Sequence, residues 1–366
     1  MSDDLLGRHD VLLADLDGTL YRGRVAVPGA VEAVRGAAQR GVRTVYVTNN
    51  ASRRPAAVAE HLAELGFPAR TDDVVASSQA AAALLADQLP AGARVLVVGT
   101  EALADEVRAR GLRVVTTADE ADAVVQGHSP ETGWPQLAEA TVAVRAGALW
   151  VACNLDPTLP TERGPLPGNG AMVGVVCLAT GREPQVAGKP GPALLEEAAR
   201  RSGARNPLMV GDRLDTDIEG GRAAGMATLL VLTGISDAAE LLAAPPRLRP
   251  DHVAADLGGL TARPEDLAIG PRPGWDVRVA EPGRLVLSGT GGDPVDALRA
   301  LCAAHWAAGG GPAHVTAEGP AATAALRGLG LDDGGPSAGS ATVAGAAVPD
   351  DAGHGDATVR RPAPPA

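Results

Sequence analysis

The most reactive residue types of this chain come together in residues 11–20, where two carboxylates, Asp15 and Asp17, directly follow an apolar run. A short run of Leu and Val bounded by glycine is typical of a buried parallel strand. Ligands of open α/β sheets bind just beyond the carboxyl ends of such strands, and Gly18 allows a tight turn there. Carboxylates at this place are suited to bind a hard cation such as Mg²⁺ and to attack a phosphoryl group.

Polar residues also follow two other predicted strand or loop segments. Thr48, Asn49 and Asn50 come at the end of the apolar run 43–48, and a hydroxyl with successive backbone N–H groups at a strand-to-helix turn is an anion cradle. Lys189 lies between glycines and prolines just before a predicted helix, where it can place one positive charge on a phosphate. These residues predict a phosphate-binding site.

A further acidic segment begins with Asp212 and runs to Asp217, after the predicted strand 207–210 and at the start of a predicted helix over residues 215–224. Its carboxylates can complete an oxygen-rich site for Mg²⁺, and the metal and a lysine together balance the charge of a transferring phosphoryl group. A second acid two residues after the nucleophile can protonate the leaving oxygen and then activate water. Asp15 and Asp17 have that spacing.

Each motif alone has an ordinary structural explanation. An Asp-x-Asp-Gly segment is often an Asx turn, a Thr-Asn pair after a strand is often a helix cap, and a lysine before proline is often a solvated loop residue. The order of the motifs along one chain is what favours a functional site.

Strands that alternate with helices predict a doubly wound parallel sheet as the core of an α/β protein. We assign this core to residues 1–76 and 187–262, because a second α/β pattern over residues 77–186 interrupts it. Residues 270–331 form a small α/β appendage in this prediction. Residues 332–366 lack apolar periodicity, and we predict that they are disordered.

Composition excludes several classes of partner. The 366 residues have a net charge of −12, and without a basic stripe nucleic acid is not expected as a ligand. The chain shows no signal-peptide pattern and no apolar stretch of about 18 residues, so we expect no membrane span. Its three cysteines have neither metal-ligand spacing nor disulfide density. We therefore predict a cytoplasmic protein with reduced thiols.

The ordered motifs resemble the haloacid dehalogenase-like hydrolase superfamily. Those that carry the resemblance are Asp15-Leu16-Asp17-Gly18-Thr19, Thr48-Asn49, Lys189-Pro190 and Gly211-Asp212 through Asp217. The Thr-Asn pair, the long insertion before the lysine and the Gly-Asp-Arg-Leu-x-Thr-Asp form are similar to the nitrophenylphosphatase and phosphoglycolate phosphatase branch. In that branch the insertion is a cap domain of type IIA, which closes over the substrate.

The resemblance implies a Mg²⁺-dependent phosphatase that works through an aspartyl-phosphate. The roles that it implies are Asp15 as nucleophile and metal ligand, Asp17 as general acid and base with its carbonyl on the metal, Thr48, Asn49 and Asn50 as phosphate-binding residues, Lys189 as the neutralising cation, Asp212 as a metal ligand, and Asp217 as a residue that orients the metal site from behind the ligands.

The substrate implied is a small phosphorylated metabolite, glycerol 3-phosphate or 2-phosphoglycolate first, with a nucleoside monophosphate or another sugar phosphate as the alternative. Asp156 either contacts a substrate hydroxyl from the cap or forms an Asx turn before Pro157. A regulator that binds phosphometabolites without turnover is the second class of function, and the presence of Asp17 argues against it. Some members of this branch carry a similar appendage, likened to a fragment of an acetyltransferase fold, and caps of this type often form homodimers.

Overall fold

The computed structural model describes residues 3–161 and 163–332, so the tail predicted to be disordered lies outside the described residues from position 333 onward. Its strands are β1 (Val11–Ala14), β2 (Tyr21–Arg22), β3 (Val25–Ala26), β4 (Arg43–Thr48), β5 (Val74–Ala76), β6 (Arg94–Val98), β7 (Arg113–Val115), β8 (Ala123–Gln126), β9 (Leu149–Ala152), β10 (Thr158–Thr161), β11 (Gly164–Pro167), β12 (Gln185–Val186), β13 (Pro207–Gly211), β14 (Ala227–Val231), β15 (His252–Ala254), β16 (Trp275–Glu281), β17 (Arg284–Gly289) and β18 (His314–Glu318). Its α-helices are α1 (Ala30–Gln39), α2 (Pro55–Glu64), α3 (Ser77–Gln88), α4 (Glu101–Ala109), α5 (Trp134–Arg145), α6 (Asn169–Thr180), α7 (Ala193–Ser202), α8 (Glu219–Ala223), α9 (Ala238–Ala243), α10 (Pro264–Leu267), α11 (Pro294–Ala307) and α12 (Pro320–Gly328).

The core is a parallel six-stranded sheet in the order β15-β14-β13-β1-β4-β5. All four residues of β1 are buried, as expected for a central strand covered on both faces. The chain builds β4 and β5 on one side of β1 and returns to build β13 to β15 on the other. This change of direction places the carboxyl ends of β1, β4 and β13 side by side, which is where a ligand binds in such a fold.

The insertion forms a second parallel sheet in the order β12-β9-β8-β6-β7. The predicted α/β fold with an inserted α/β domain is therefore confirmed. Helix α3 lies between the two sheets: it packs against α7 on the core side and against α4 and β9 on the insertion side. One apolar cluster runs through this joint, from Leu13 in the core to Val95 and Val151 in the insertion. The domain boundaries proposed from the sequence stay a prediction.

The C-terminal appendage is a three-stranded sheet, β16-β17-β18, with α11 and α12. It shares an apolar cluster with the core, in which Leu285 and Leu298 of the appendage lie with Leu230 and Leu241. None of the described helices is both long and apolar enough to cross a membrane.

Several segments differ from their sequence prediction, among them helix α4, where no helix was predicted. The helix predicted over residues 215–224 is a π-helical turn, Leu214–Ile218, followed by the short helix α8. The chain between β9 and α6, treated as a loop from the sequence, contains the antiparallel hairpin β10-β11. The appendage has the two strand runs, helix, strand and helix that the sequence predicts, with bounds that differ by a few residues.

Candidate active site

Lys189 is hydrogen-bonded to a carboxylate of the first acidic motif, Asp15, and to one of the last, Asp217. Its Nζ donates to Asp15 Oδ1 at 2.6 Å and to Asp217 Oδ1 at 2.7 Å, and its side chain is only 2 % exposed. Asp15 directly follows β1, and its backbone N–H donates to Val210 O at 2.9 Å. Its carboxyl is 16 % exposed and thus keeps access to the site. The structure therefore presents Asp15 with one oxygen held and the other available.

Asp212 is completely buried at the carboxyl end of β13. Its Oδ1 accepts from Thr19 Oγ1 at 3.1 Å, and its Oδ2 accepts from Ile235 N at 2.8 Å. Two glycines leave room for this carboxylate: a Cβ on Gly18 would lie 2.3 Å from Asp212 Oδ2, and a Cβ on Gly234 would lie 1.8 Å from it. Gly18 also has a φ of 87°, so the Asp-x-Asp-Gly turn needs glycine for both reasons.

Asp217 projects from the π-helical turn towards the end of β13. Its Oδ2 accepts from the backbone N–H groups of Asp212, at 3.2 Å, and Arg213, at 3.1 Å, while its Oδ1 holds Lys189. Both oxygens are thus engaged with the protein. This arrangement fits the supporting position that the resemblance implied for Asp217.

Three carboxylates lie close together, and two of them contact the ammonium group of Lys189. Ligand oxygens of Asp15, Asp212 and Asp217 all lie within 4.8 Å of one another. Burial, together with the nearby carboxylate of Asp217, raises the pKa of Asp212 to about 6, and burial also raises the pKa of Asp15 well above its ordinary value. Burial opposes the charge of Lys189, but its two carboxylate partners outweigh that effect and raise its pKa. An all-oxygen donor set with excess negative charge suits Mg²⁺.

Asp17 lies outside this cluster. Its carboxylate is not among the three neighbouring groups, and the residue is exposed to solvent. Partial desolvation raises its pKa, which favours the protonated form that a general acid needs. The metal role that the resemblance implied for Asp17 depends on its backbone carbonyl and stays a prediction.

The predicted phosphate-binding residues occupy the end of β4 but differ in what their side chains do. Thr48 Oγ1 accepts from Asn50 N at 3.1 Å, and Asn50 Oδ1 accepts from the N–H and hydroxyl of Ser52 at 2.8 and 2.7 Å. The side chain of Asn49 is bound to Lys189, with Lys189 N donating to Asn49 Oδ1 at 2.8 Å and Asn49 Nδ2 donating to Lys189 O at 2.9 Å. Phosphate contacts by these residues stay predictions.

Asp156 reaches this segment from the insertion. Asn49 Nδ2 donates to Asp156 Oδ2 at 3.4 Å. The Asx turn at this place is formed by Asn154 instead, whose Oδ1 accepts from Asp156 N at 3.2 Å. Sequence reasoning assigned no role to Asn154 or to Thr19, although both stood within the quoted motifs, because nothing local shows which distant group they contact.

Family models match three parts of the chain. A haloacid dehalogenase-like hydrolase model matches residues 12–113, and a related HAD-hydrolase-like model matches residues 186–260. A GCN5-related N-acetyltransferase-like domain model matches residues 272–331, the appendage. The two hydrolase matches include every site residue described above except Asp156.

The chain belongs to the haloacid dehalogenase-like hydrolases, and within them it is a hydrolase of phosphoric monoesters. It is 53 % identical over 309 residues to D-glycerol 3-phosphate phosphatase of Mycobacterium tuberculosis, covering 82 % of this chain and 86 % of that protein. The crystal structure of that organism's glycerol phosphate phosphatase in complex with magnesium has a TM-score of 0.85 at 51 % identity, covering 90 % of this chain and 99 % of that one. A mutant NPPase from Geobacillus stearothermophilus has a TM-score of 0.64 at 33 % identity, covering 69 % and 97 %. The predicted family and the magnesium cofactor are thereby confirmed.

Proposed function

We propose that this protein hydrolyses glycerol 3-phosphate to glycerol and phosphate, with Asp15 as the nucleophile. The observation that carries the proposal is the position of Lys189, 2.6 Å from Asp15 and 2.7 Å from Asp217. An ammonium group in that place opposes the effect of burial by favouring the ionised form of Asp15, orients its carboxylate, and stabilises the charge of the transferring phosphoryl group.

In the first step an Asp15 oxygen forms a bond to phosphorus while the bond from phosphorus to the glycerol oxygen breaks. Asp17, protonated, gives its proton to that oxygen, so that neutral glycerol leaves. In the second step Asp17 takes a proton from water as the water oxygen attacks phosphorus. The bond to Asp15 breaks, phosphate leaves, and both carboxyl groups return to their starting states.

Mg²⁺ would be held by Asp15 and Asp212, with the backbone carbonyl of Asp17. When bound it supplies positive charge beside the phosphoryl oxygens. Both carboxylate oxygens of Asp217 already accept hydrogen bonds, one from Lys189 and the other from backbone N–H groups. We therefore assign Asp217 the role of positioning the residues next to the metal.

The pairing of Arg213 and the charge of Asp156 favour a polyol over a carboxylic acid as the substrate. The guanidinium of Arg213 is paired with both oxygens of Asp215 at 3.0 and 2.8 Å, which leaves it poorly placed to bind a substrate carboxylate. The carboxylate of Asp156 can accept hydrogen bonds from hydroxyl groups and would repel a second carboxylate. This contrast, together with the name of the 53 % identical relative, supports glycerol 3-phosphate over 2-phosphoglycolate.

The test is a panel of phosphate esters assayed for phosphate release with Mg²⁺: glycerol 3-phosphate, 2-phosphoglycolate, a hexose phosphate and a nucleoside monophosphate. We expect kcat/KM for glycerol 3-phosphate to exceed that for 2-phosphoglycolate by about tenfold or more, the size of effect that one unfavourable charge contact gives. A preference for 2-phosphoglycolate would contradict the substrate assignment. Binding of these esters without release of phosphate would favour a regulator.

A further inference from the structure

The side chain of Asn49 contacts the catalytic lysine segment instead of the open site. We infer that Asn49 is a positioning residue, which fixes Lys189 through the main chain and couples that position to the insertion domain. The inference rests on the proposed roles of Asp15 and Lys189. It gives the side-chain amide of Asn49 a function other than the phosphate binding that the sequence motif implies.

The first half of the argument is the pair of bonds to Lys189. Asn49 accepts from the N–H of Lys189 at 2.8 Å and donates to its carbonyl at 2.9 Å, so one carboxamide satisfies both main-chain groups of one residue. Gly188 makes this approach possible, because a Cβ there would lie 2.7 Å from Asn49 Oδ1 and 2.5 Å from Cys153 O. The backbone that carries Lys189 is therefore held from the side, at a point 140 residues away in sequence.

The second half is the set of bonds made by Asn49's backbone carbonyl, which accepts from Ser77 Oγ at 2.5 Å and from Asn154 Nδ2 at 2.7 Å. Both donors lie beyond the core strands, Ser77 at the start of α3 and Asn154 in the loop after β9. Asn154 is itself held, since Asn169 Nδ2 donates to its carbonyl at 2.7 Å. Asn154 and Asn169 are almost completely buried, so water cannot easily replace these bonds.

These contacts connect the insertion, Asn49 and Lys189 in one hydrogen-bonded series. Displacing a catalytic group by about 1 Å can reduce a rate about a hundredfold, because the reacting atoms leave their near-attack geometry. Loss of the Asn49 side chain leaves the main-chain N–H and carbonyl of Lys189 without that partner, although its Nζ keeps Asp15 and Asp217. We therefore expect the chemical step to slow while substrate affinity is largely kept.

The test compares Asn49→Ala and Asn49→Asp in the full chain with Mg²⁺, measuring kcat and KM for glycerol 3-phosphate or for p-nitrophenyl phosphate. We expect kcat to fall at least tenfold for Asn49→Ala and further for Asn49→Asp, with KM changed less than about threefold. Asn49→Asp keeps the shape and the acceptor for Lys189 N, but it sets an oxygen against Lys189 O and Asp156 Oδ2. A rise in KM with unchanged kcat would show that the side chain binds substrate, and it would overturn the inference.

Asn206→Ala is the matched control. Asn206 Nδ2 also donates to a backbone carbonyl, that of Arg8 at 2.7 Å, but it lies at the start of β13, the end of the strand opposite the site. We expect kcat of this variant to stay within about twofold of wild type. Thermal unfolding of all three variants, with assays well below each Tm, separates slow chemistry from loss of folded protein. If Asn49→Asp folds and has wild-type kcat, the inference is overturned, even if Asn49→Ala fails to fold. An inactive wild type would refute the proposed function instead.

Discussion

Among the described residues, buried charged groups lie both at the catalytic edge of the core sheet and where β15 meets the C-terminal appendage. At the catalytic edge Lys189 pairs with Asp15 and Asp217, and the carboxylate of Asp212 lies close to theirs. The carboxylates there outnumber the positive groups, and burial together with the carboxylate of Asp217 raises the pKa of Asp212.

At the appendage two arginines share one carboxylate, and both also donate to main-chain carbonyls. Arg299, 5 % exposed, donates to Asp296 at 2.7 Å and to the carbonyl of Val253 in β15 at 2.5 and 3.1 Å. Arg272 Nε lies 3.0 Å from the same Asp296. Arg299 thus provides a donor for the carbonyl of Val253 at the sheet edge and pairs its own charge with Asp296. These contacts stabilise the junction between the core sheet and the appendage.

The comparison teaches that an excess of buried carboxylates, not unequal charge as such, is a mark of function. The arginines of the junction are satisfied by Asp296 and by main-chain carbonyls, because an unpaired buried charge is costly. At the catalytic edge the cost of the excess carboxylates is not offset by groups of the protein. A bound cation, shared with the phosphoryl group, would offset it. The predictions below test this distinction, beginning with the site.

Asp15→Asn removes the nucleophile and has the largest expected effect. The amide cannot form the covalent intermediate, so we expect kcat to fall by about a thousandfold or more while the fold is kept. Phosphate release with glycerol 3-phosphate measures it. Asp10→Asn, at the other end of β1, is the control: Asp10 accepts from the N–H groups of Arg205 and Asn206 only, and its loss should leave kcat close to wild type. Substantial turnover by Asp15→Asn would remove Asp15 from the nucleophile role.

The excess negative charge predicts an unusual pH dependence of stability when the metal is absent. With its pKa raised to about 6, Asp212 binds a proton more tightly in the folded than in the unfolded state. The stabilisation is therefore complete below about pH 4 and is lost as the pH rises through about 6, an effect of ~3 kcal/mol in the free energy of unfolding.

Urea unfolding in EDTA at pH 4.5 and pH 7 measures this loss. Asp212→Asn does not titrate there, so the wild type should lose more stability than the variant over the same interval. Added Mg²⁺ should restore the wild type at pH 7. Equal pH dependence of stability in the two proteins would show that Asp212 is not the source of the loss.

Arg299→Ala tests the junction with the appendage and has the smallest expected effect. It leaves the carbonyl of Val253 without its donor, so we expect the free energy of unfolding to fall by about 1–3 kcal/mol with kcat unchanged. Arg278→Ala is the control, because its pair with Glu318 is exposed on both sides and should contribute less than about 1 kcal/mol. A loss of kcat in folded Arg299→Ala would mean that the appendage acts on the chemistry.

The sequence predicted the parts of the fold where local pattern and burial agree. Strands β1 and β13 are apolar runs and β4 has the apolar centre Val-Tyr-Val, and their order around an interruption was enough to bring Asp15, Thr48 and Asp212 to one edge. Helix α4 was not predicted, although Leu103 and Val107, four residues apart, have the apolar spacing of a helix face.

Other features have no local signal. The π-helical turn, which replaces a regular helix, lets Asp217 face the end of β13 while the backbone continues into α8. This orientation serves the hydrogen bond from Lys189, which is distant in sequence, so no local pattern predicts it. The partners of Asn49 are similarly distant, so a motif reveals that an amide is present but not which group it binds. Tertiary contacts decided these cases.

Helix α3 has a thermodynamic consequence for the joint between core and insertion. Its residues 80–83 are all alanine and all buried, and alanine loses almost no side-chain entropy when it is buried. The apolar contact of this helix with α7, α4 and β9 therefore forms at little cost in side-chain entropy. More of the free energy of burying this surface is thus left to stabilise the joint.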